Sequence, residues 1–185
     1  MALRVSTLLP IETTAPIRRR QRLWAYRWFV GLAIAIFVID QVSKLWIVHR
    51  LPLGSYWPPD HIPVIPEFFN LVHVGNTGAA WSLFSGRSTI LALLGLGTLG
   101  AIYYWRHSLG LRVLWLQVSF GLLCGGIAGN LLDRLRQGYV TDFIDFHFGS
   151  YVFPTFNIAD SGICVGVGIY LWQSLRAESA AKRGR

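Results

Sequence analysis

Four long apolar stretches divide the chain into membrane-like and polar parts. They cover about residues 28–48, 89–105, 113–132 and 158–175, and few charged side chains interrupt them. At ~1.5 Å of helical rise per residue, each stretch is close to the ~30 Å thickness of the hydrocarbon core of a bilayer. We therefore predict four membrane-spanning helices, of which the second and fourth are at the short end of the range.

The two long connections between these stretches have a different pattern. The first, residues 50–88, contains five of the eight prolines, which excludes a continuous helix there. The segments EFFNLVHV, YVTDFIDFHF and SYVF are rich in β-branched and aromatic residues that partly alternate with polar ones. This pattern is typical of short strands, so we predict strands that lie on the membrane surface.

Composition supports the membrane interpretation. Apolar residues make up 53% of the chain, charged residues only 14%, and the mean hydropathy is +0.44. So few charges cannot cover a soluble domain of this size. The eight tryptophans fit a protein with two membrane–water interfaces, where amphipathic rings collect. We predict one integral membrane domain over residues 1–185.

The distribution of charge predicts the orientation. Residues 1–27 form a basic arm with six arginines, and the connection 106–112 and the tail after Arg176 are also basic. Twelve of the 17 Lys and Arg residues fall on this face, four fall in the two opposite connections, and Lys44 lies inside the first helix. The positive-inside rule then places both termini in the cytoplasm. Basic residues that flank helices argue against a nucleic-acid-binding groove.

Polar residues are concentrated at one level of the predicted bundle. By helical rise, Asp40, Asn130 and Asp160 lie roughly 20, 27 and 24 Å above the basic face, near the outer leaflet. Four of the nine acidic residues, Asp133, Asp142, Asp145 and Asp160, also fall within residues 125–160. Carboxylates at the ends of membrane helices are unfavourable, so their default interpretation is functional. Two aspartates that share one proton and one water molecule can hydrolyse an amide.

Several of these residues also have structural interpretations. Asp40 and Lys44 are four residues apart and can form a mutually neutralising ion pair that faces protein. Asn157 and Asp160 have the spacing of a capping box at the start of the last helix. Asp142 and Asp145 lie among apolar residues, and the residues alone leave open which of the two is functional.

Three other kinds of site remain as alternatives. Asp142, Asp145 and His147 have a spacing that suggests a metal site, but three ligands on an alternating segment do not all point one way. A small transporter or channel would also place charges between helices, although here the polar groups collect at one face and form no path across the bilayer. A non-catalytic scaffold would leave the clustered carboxylates unexplained.

Five segments together resemble the bacterial lipoprotein signal peptidase (signal peptidase II) family. They are DQVSK (40–44), NTGAAWS (76–82), GGIAGNLLDR (125–134), GYVTDF (138–143) and FNIAD (156–160). They follow the order and spacing of the family and cover all but the termini and the proline-rich segment. Trp81 stands where the family has phenylalanine.

The resemblance implies a mainly α membrane protein in which four transmembrane helices carry a small extracytoplasmic β-cradle. It implies a monomeric membrane aspartyl endopeptidase of the bacterial inner membrane that needs no metal and no cofactor. The substrate would be a diacylglyceryl-modified prolipoprotein in the lipid bilayer, cut N-terminal to the lipidated cysteine, with no nucleic-acid partner. The motifs assign catalysis to Asp142 and Asp160, and substrate binding or support of the site to Asp40, Lys44, Asn76, Gly126, Asn130, Asp133, Arg134 and Asn157.

Overall fold

Four helices form the body of the protein in a computed structural model that describes residues 26–56, 58–79 and 83–183. They are α1 (Arg27–Arg50), α2 (Ser88–Trp105), α3 (Leu114–Gln137) and α4 (Ile158–Arg183). Each is long and apolar enough to cross a membrane, so the prediction of four spanning helices is confirmed. Most of the predicted basic arm, residues 1–25, lies outside the described residues.

Helix α3 is longer than its apolar stretch predicted. It ends at Gln137 instead of at residue 132, so Asp133 and Arg134 lie on its last turns and not in a connection. Gly138 follows in the left-handed conformation with a φ of 81° and donates its N–H to the Arg134 carbonyl at 3.2 Å. Glycine favours this conformation, so the helix ends there, and both charged side chains remain attached to a rigid element.

Glycines place α3 at the centre of the bundle. Gly121 and Gly125 lie against backbone carbonyls of α1, and Gly126 lies against the Ala159 carbonyl of α4. A Cβ atom at any of these positions would collide with the neighbouring backbone, so small residues permit this close packing. Helix α2 packs mainly on α3 and stands at the side of the bundle.

A small antiparallel sheet completes the fold, as predicted. Its strands, in the order β1-β2-β3-β4, are β1 (Ile62–Ile65), β2 (Phe69–Asn76), β3 (Val140–Phe148) and β4 (Tyr151–Val152). Strand β1 lies inside the proline-rich connection and was not predicted. It is an edge strand, where Pro63 is tolerated because no further strand needs its missing N–H.

The two faces of β3 have different neighbours. On one face, Phe143 is buried with Ile47 and Leu51 at the end of α1. Successive residues of a strand point to opposite sides, so Asp142 lies on the other face. There it contacts Asn157, the residue that precedes α4. The sheet thus carries Asp142 to the start of the last helix.

Candidate active site

Asn157 and Asp160 form the predicted capping box. The Asn157 Oδ1 atom accepts the N–H of Asp160 at 2.9 Å, and Asp160 Oδ2 accepts the N–H of Asn157 at 3.2 Å. These two bonds satisfy backbone donors that the first helical turn leaves free. The second oxygen of Asp160 is not used for capping, because Oδ1 accepts the Asn130 side-chain amide at 2.7 Å. Asp160 therefore caps α4 and also belongs to a wider polar cluster.

Asp142 lies beside this cap and is held from both sides. Its Oδ1 accepts the Asn157 side-chain amide at 2.7 Å, and its Oδ2 accepts the Asn76 amide at 2.9 Å. Asn76 is fixed in turn because its Oδ1 accepts the N–H of Gly78 at 2.8 Å. The Asp142 side chain is buried, with only 2% of the residue exposed. Asn157 thus touches both carboxylates and joins them in one site.

The surroundings of Asp142 favour a shared proton. Burial raises the pKa of Asp142 to about 7, the neighbouring Asp160 carboxylate adds to this rise, and the hydrogen bonds from Asn76 and Asn157 oppose it. Two close carboxylates cannot both ionise easily, so the pair titrates as a unit. This arrangement allows one carboxyl group to donate a proton while the other accepts one.

Lys44 lies behind the two carboxylates with all three of its donors used. Its Nζ atom contacts Asp40 Oδ2 at 2.8 Å, Asp133 Oδ2 at 2.9 Å and Asn130 Oδ1 at 2.9 Å. The predicted pair with Asp40 is therefore present and faces protein. Asn130 connects this ion cluster to Asp160, so the charge of Lys44 acts close to the candidate catalytic pair.

Asp40 also fixes the start of α4. Its Oδ1 atom accepts the N–H of Ala159 at 2.9 Å, one residue before Asp160. Asp40 is completely buried, and its polar partners lie on its own helix α1 and on α4, while Lys44 connects it to Asn130 on α3. The helical levels predicted from the sequence are thus reproduced as direct contacts between α1, α3 and α4.

The sequence reasoning missed two members of this cluster. The Gln41 amide donates to Asp40 at 3.1 Å, to the Gly129 carbonyl at 3.3 Å and to Asp133 at 3.0 Å. Gly129 leaves room for the Asp40 carboxylate, which a Cβ atom there would hit. Gln41 lies inside DQVSK, and Gly129 inside GGIAGN, so the motifs were the only sequence signal for either residue.

Two of the predicted supporting residues act at a distance from the carboxylate pair. Arg134 Nη2 donates to the Gly78 carbonyl at 2.8 Å and so ties the loop after β2 to α3. Within residues 26–56, 58–79 and 83–183, no carboxylate lies within ion-pair distance of Arg134. Gly126 packs against the backbone of Ala159, one residue before Asp160. Trp81 lies outside the described residues.

Asp145 belongs to a different cluster. It lies on the reverse face of β3, where it accepts the Asn70 amide at 3.3 Å and contacts His147 Nε2 at 2.6 Å. Asp142 faces the other way, so the three side chains of the suggested metal motif do not converge. In the part of the chain that the structure describes, no group of three His, Cys, Asp or Glu residues is placed to hold a metal ion.

A cavity of about 210 Å³ opens next to Asp160. Asn130, Arg134 and Asp160 line its polar side. Its apolar side is formed by residues of α2, α3 and α4, with Ala79 at its edge: Leu91, Gly95, Ile127, Leu131 and Ile163. The cavity therefore offers hydrogen-bonding groups and an apolar wall to the same ligand.

Fold and site together define a class: a multi-pass α-helical membrane protein in which a buried aspartate cluster adjoins a partly apolar cavity. A family model described as Signal peptidase (SPase) II matches residues 32–176. The chain belongs to this family.

Individual relatives agree with the family match. A lipoprotein signal peptidase of Symbiobacterium thermophilum is 42% identical over 141 residues, which are 76% of this chain and 89% of the relative. The lipoprotein signal peptidase of Vibrio cholerae is 36% identical over 159 residues, 84% of this chain and 90% of the relative. A solved structure described as a bacterial membrane enzyme, determined by the in meso method at 2.3 Å resolution, has a TM-score of 0.74 at 35% identity. It covers 82% of this chain and 90% of that one.

Proposed function

We propose that this chain is an aspartic endopeptidase that removes signal peptides from diacylglyceryl-modified prolipoproteins, with Asp142 and Asp160 as the catalytic pair. One observation carries the assignment: Asn157 hydrogen-bonds both carboxylates, so the two aspartates face one site although they come from a strand and a helix. Membership of the signal peptidase II family supplies the reaction class.

The chemistry follows from one proton shared by two carboxyl groups. The ionised aspartate takes a proton from water, which then attacks the carbonyl carbon of the scissile peptide. The protonated aspartate polarises the carbonyl oxygen and afterwards donates its proton to the leaving amine. Asn76 and Asn157 hold Asp142, and Asn130 holds Asp160, so both groups keep their orientation during the proton transfers. Each step is completed by residues of this chain and by water.

The cavity beside Asp160 suits a lipidated substrate. Its apolar wall comes from membrane-spanning helices, whereas its polar side carries Asn130, Arg134 and Asp160. A cysteine that bears a diacylglyceryl group has the same division, because its acyl chains remain apolar while the adjoining peptide needs hydrogen bonds. We place the scissile bond, on the N-terminal side of that cysteine, at the polar side of the cavity.

The orientation in the membrane is part of the proposal. Both termini lie in the cytoplasm, and the sheet and the carboxylate pair lie at the outer leaflet of the inner membrane, where the substrate arrives. The positive-inside distribution of Lys and Arg supports this orientation. We further propose that the chain works as a single domain and as a monomer, without a metal ion or another cofactor.

The test is direct cleavage. Purified protein is incubated with a diacylglyceryl-modified prolipoprotein and with the same precursor lacking the lipid, and the products are identified by mass spectrometry. We expect one cut before the lipidated cysteine and little cleavage of the unlipidated precursor. Cleavage elsewhere, or none by a folded preparation, would refute the proposed function. Uptake or conductance in vesicles without proteolysis would instead support a transporter.

A further inference from the structure

A second buried carboxylate lies on the strand that carries Asp142, but on its reverse face. Asp145 is 1% exposed and has partners from separate parts of the chain. Its Oδ2 atom accepts the Asn70 amide from β2 and contacts the ring of His147, and the Tyr56 side chain in the segment after α1 lies close enough to interact with the Asp145 carboxylate. Burial and the Asp145 carboxylate both raise the pKa of Tyr56, so Tyr56 stays protonated and able to donate. The catalytic proposal gives Asp145 no role.

The position of Asp145 in the sheet suggests one. Strands β2 and β3 pair with an irregularity between Leu71 and Val74, so the ladder is interrupted next to Asp142, the partner of Val74. Beyond the interruption, Asn70 and Asp145 are direct cross-strand partners, and their side chains are hydrogen-bonded at 3.3 Å. This bond therefore fixes the pairing on the outer side of the irregularity.

Register matters here because the strand alternates. A shift of one residue moves every side chain of a strand to the opposite face. Asp142 would then turn away from Asn157 and Asp160, and Asp145 would lose its position opposite Asn70. The Asn70–Asp145 pair adds a side-chain contact that only the observed pairing of the two strands provides.

The segment between α1 and β1 supports the pairing of β2 and β3 on the face that carries Asp145. The N–H of Gly54 donates to the His73 carbonyl at 2.8 Å, and Ser55 Oγ accepts the N–H of His73 at 3.1 Å. This segment therefore lies against β2, and its Tyr56 reaches Asp145. Two strands and one connection meet at a single carboxylate.

We propose that Asp145 is a positioning residue that sets the register of β3 and thereby aims Asp142 at Asp160. This role rests on the proposed function of Asp142. If a substitution disturbs this register, we expect kcat to fall with little change in KM, because the cavity proposed to bind the substrate is formed by other elements. A displacement of a catalytic group by about 1 Å can reduce a rate on the order of 10²-fold.

A charge swap between the cross-strand partners tests the proposal. Asn70→Asp places two carboxylates opposite each other, which is unfavourable. We expect it to lower kcat on the order of 10-fold or more, with KM within about twofold. The double variant Asn70→Asp with Asp145→Asn restores one amide and one carboxylate and should recover kcat to within about threefold. Asp145→Asn alone keeps an acceptor for Asn70 and Tyr56 and should also stay within about threefold of wild type.

The alternatives are separable. A normal kcat in Asn70→Asp, a double variant no better than that single variant, or a loss confined to KM would overturn the positioning role. If Asn70→Asp fails to fold, Tyr56→Phe replaces it: it removes one hydroxyl, and we expect a severalfold lower kcat with KM unchanged, whereas an unchanged kcat would overturn the proposal. Absence of cleavage by the wild-type protein would refute the proposed function itself, so the two failures are distinguishable.

Discussion

At the residue scale, the assignment of Asp142 and Asp160 depends on an ionisable proton and not on shape. Asparagine keeps the volume of aspartate, but it has one acceptor oxygen instead of two and cannot hold that proton. We expect Asp142→Asn and Asp160→Asn each to lower kcat on the order of 10²-fold or more, while the protein still inserts and folds. The measurement is the cleavage rate on lipidated prolipoprotein at matched expression.

Asp160→Asn is the more informative of these two variants, because it separates a capping role from a catalytic one. Asparagine caps helices about as well as aspartate, so a purely capping Asp160 would tolerate the change. Asp60→Asn is the matched control, because Asp60 is exposed on the proline-rich connection and lies outside the site. Near-normal cleavage by Asp160→Asn would reduce that residue to a helix cap.

The raised pKa of Asp142 has a consequence for pH dependence. The pKa of this carboxyl moves from 3.8 to about 7 on folding, so the folded state binds more protons than the unfolded state between these values. Its contribution to stability is present at low pH and is lost as the pH rises through that window. We expect the melting temperature of the wild type, relative to Asp142→Asn, to be higher at pH 5 than at pH 8.

The catalytic rate should depend on the same ionisation of Asp142. The proposed mechanism needs one protonated member of the pair, so we expect kcat to fall as the pH rises above about 7. A pH–rate profile of the wild type and of Asp60→Asn measures this, and the two curves should coincide. A rate that rises steadily from pH 6 to pH 9 would contradict a shared proton on this pair.

Metal independence also belongs to the residue scale. Asp142 and Asp145 lie on opposite faces of β3, so the His147 motif offers no common point for an ion. Exhaustive chelation should leave prolipoprotein cleavage unchanged within error, measured before and after dialysis against a chelator. Loss of activity that a single divalent ion restores would revive a metal site.

At the element scale, close packing of α3 against α4 predicts different outcomes for two helical glycines. A Cβ at Gly126 would strike the Ala159 carbonyl, one residue from Asp160, whereas Gly97 on α2 has open space around it. We expect Gly126→Ala to destabilise the protein by roughly 1–3 kcal/mol, as overpacking does, and to lower activity. Gly97→Ala should be neutral or stabilising by up to about 1 kcal/mol, since alanine is the better helix former.

Thermal unfolding in detergent and cleavage rates on both variants check this pair. Both substitutions add one methyl group within a helix, so any difference between them reports the surroundings. Equal stability of Gly126→Ala and Gly97→Ala would show that α3 and α4 can move apart without penalty.

How far the sequence predicted these elements depended on the range of the contacts involved. Apolar length alone predicted the four helices, and β-branched and aromatic alternation predicted β2, β3 and β4. The predicted end of α3 was wrong because the charged residues Asp133 and Arg134 resemble residues of a connection, whereas the helix continues to Gln137 and is capped by Gly138. The partners of Asp145 could not be predicted, because Asn70 lies 75 residues away along the chain and its pairing depends on an irregular register. Local sequence patterns do not predict contacts between residues so far apart in the chain.

The candidate site shows the same division. Counting residues along the helices predicted that Asp40, Asn130 and Asp160 lie at one level. In the structure, Lys44 contacts Asn130, and Asp40 accepts the N–H of Ala159, the residue before Asp160. The choice of Asp142 over Asp145 needed the resemblance, because both lie in similar aromatic surroundings. Their separation is a matter of strand alternation, which places the two carboxylates on opposite faces.

At the scale of the whole molecule, the charge asymmetry predicts the topology. A reporter fused after Arg185 should be active only if it functions in the cytoplasm, because twelve of the 17 Lys and Arg residues lie on the face of the termini. A second reporter placed at Asp60, in the first long connection, should show the opposite preference. Periplasmic activity of the fusion at Arg185 would overturn the four-span topology.

Asn157 caps α4 and also hydrogen-bonds both Asp142 and Asp160. These two roles determine when the site can assemble during synthesis of the chain. Asp142 itself lies on β3, and the residues that hold the pair come from β2, from α3 and from the N-terminal cap of the last helix. A nascent chain still emerging from the ribosome has no bridge until that last helix has docked. We therefore expect a protease that uses this pair to remain inactive until its last helix has inserted and packed against the rest of the bundle.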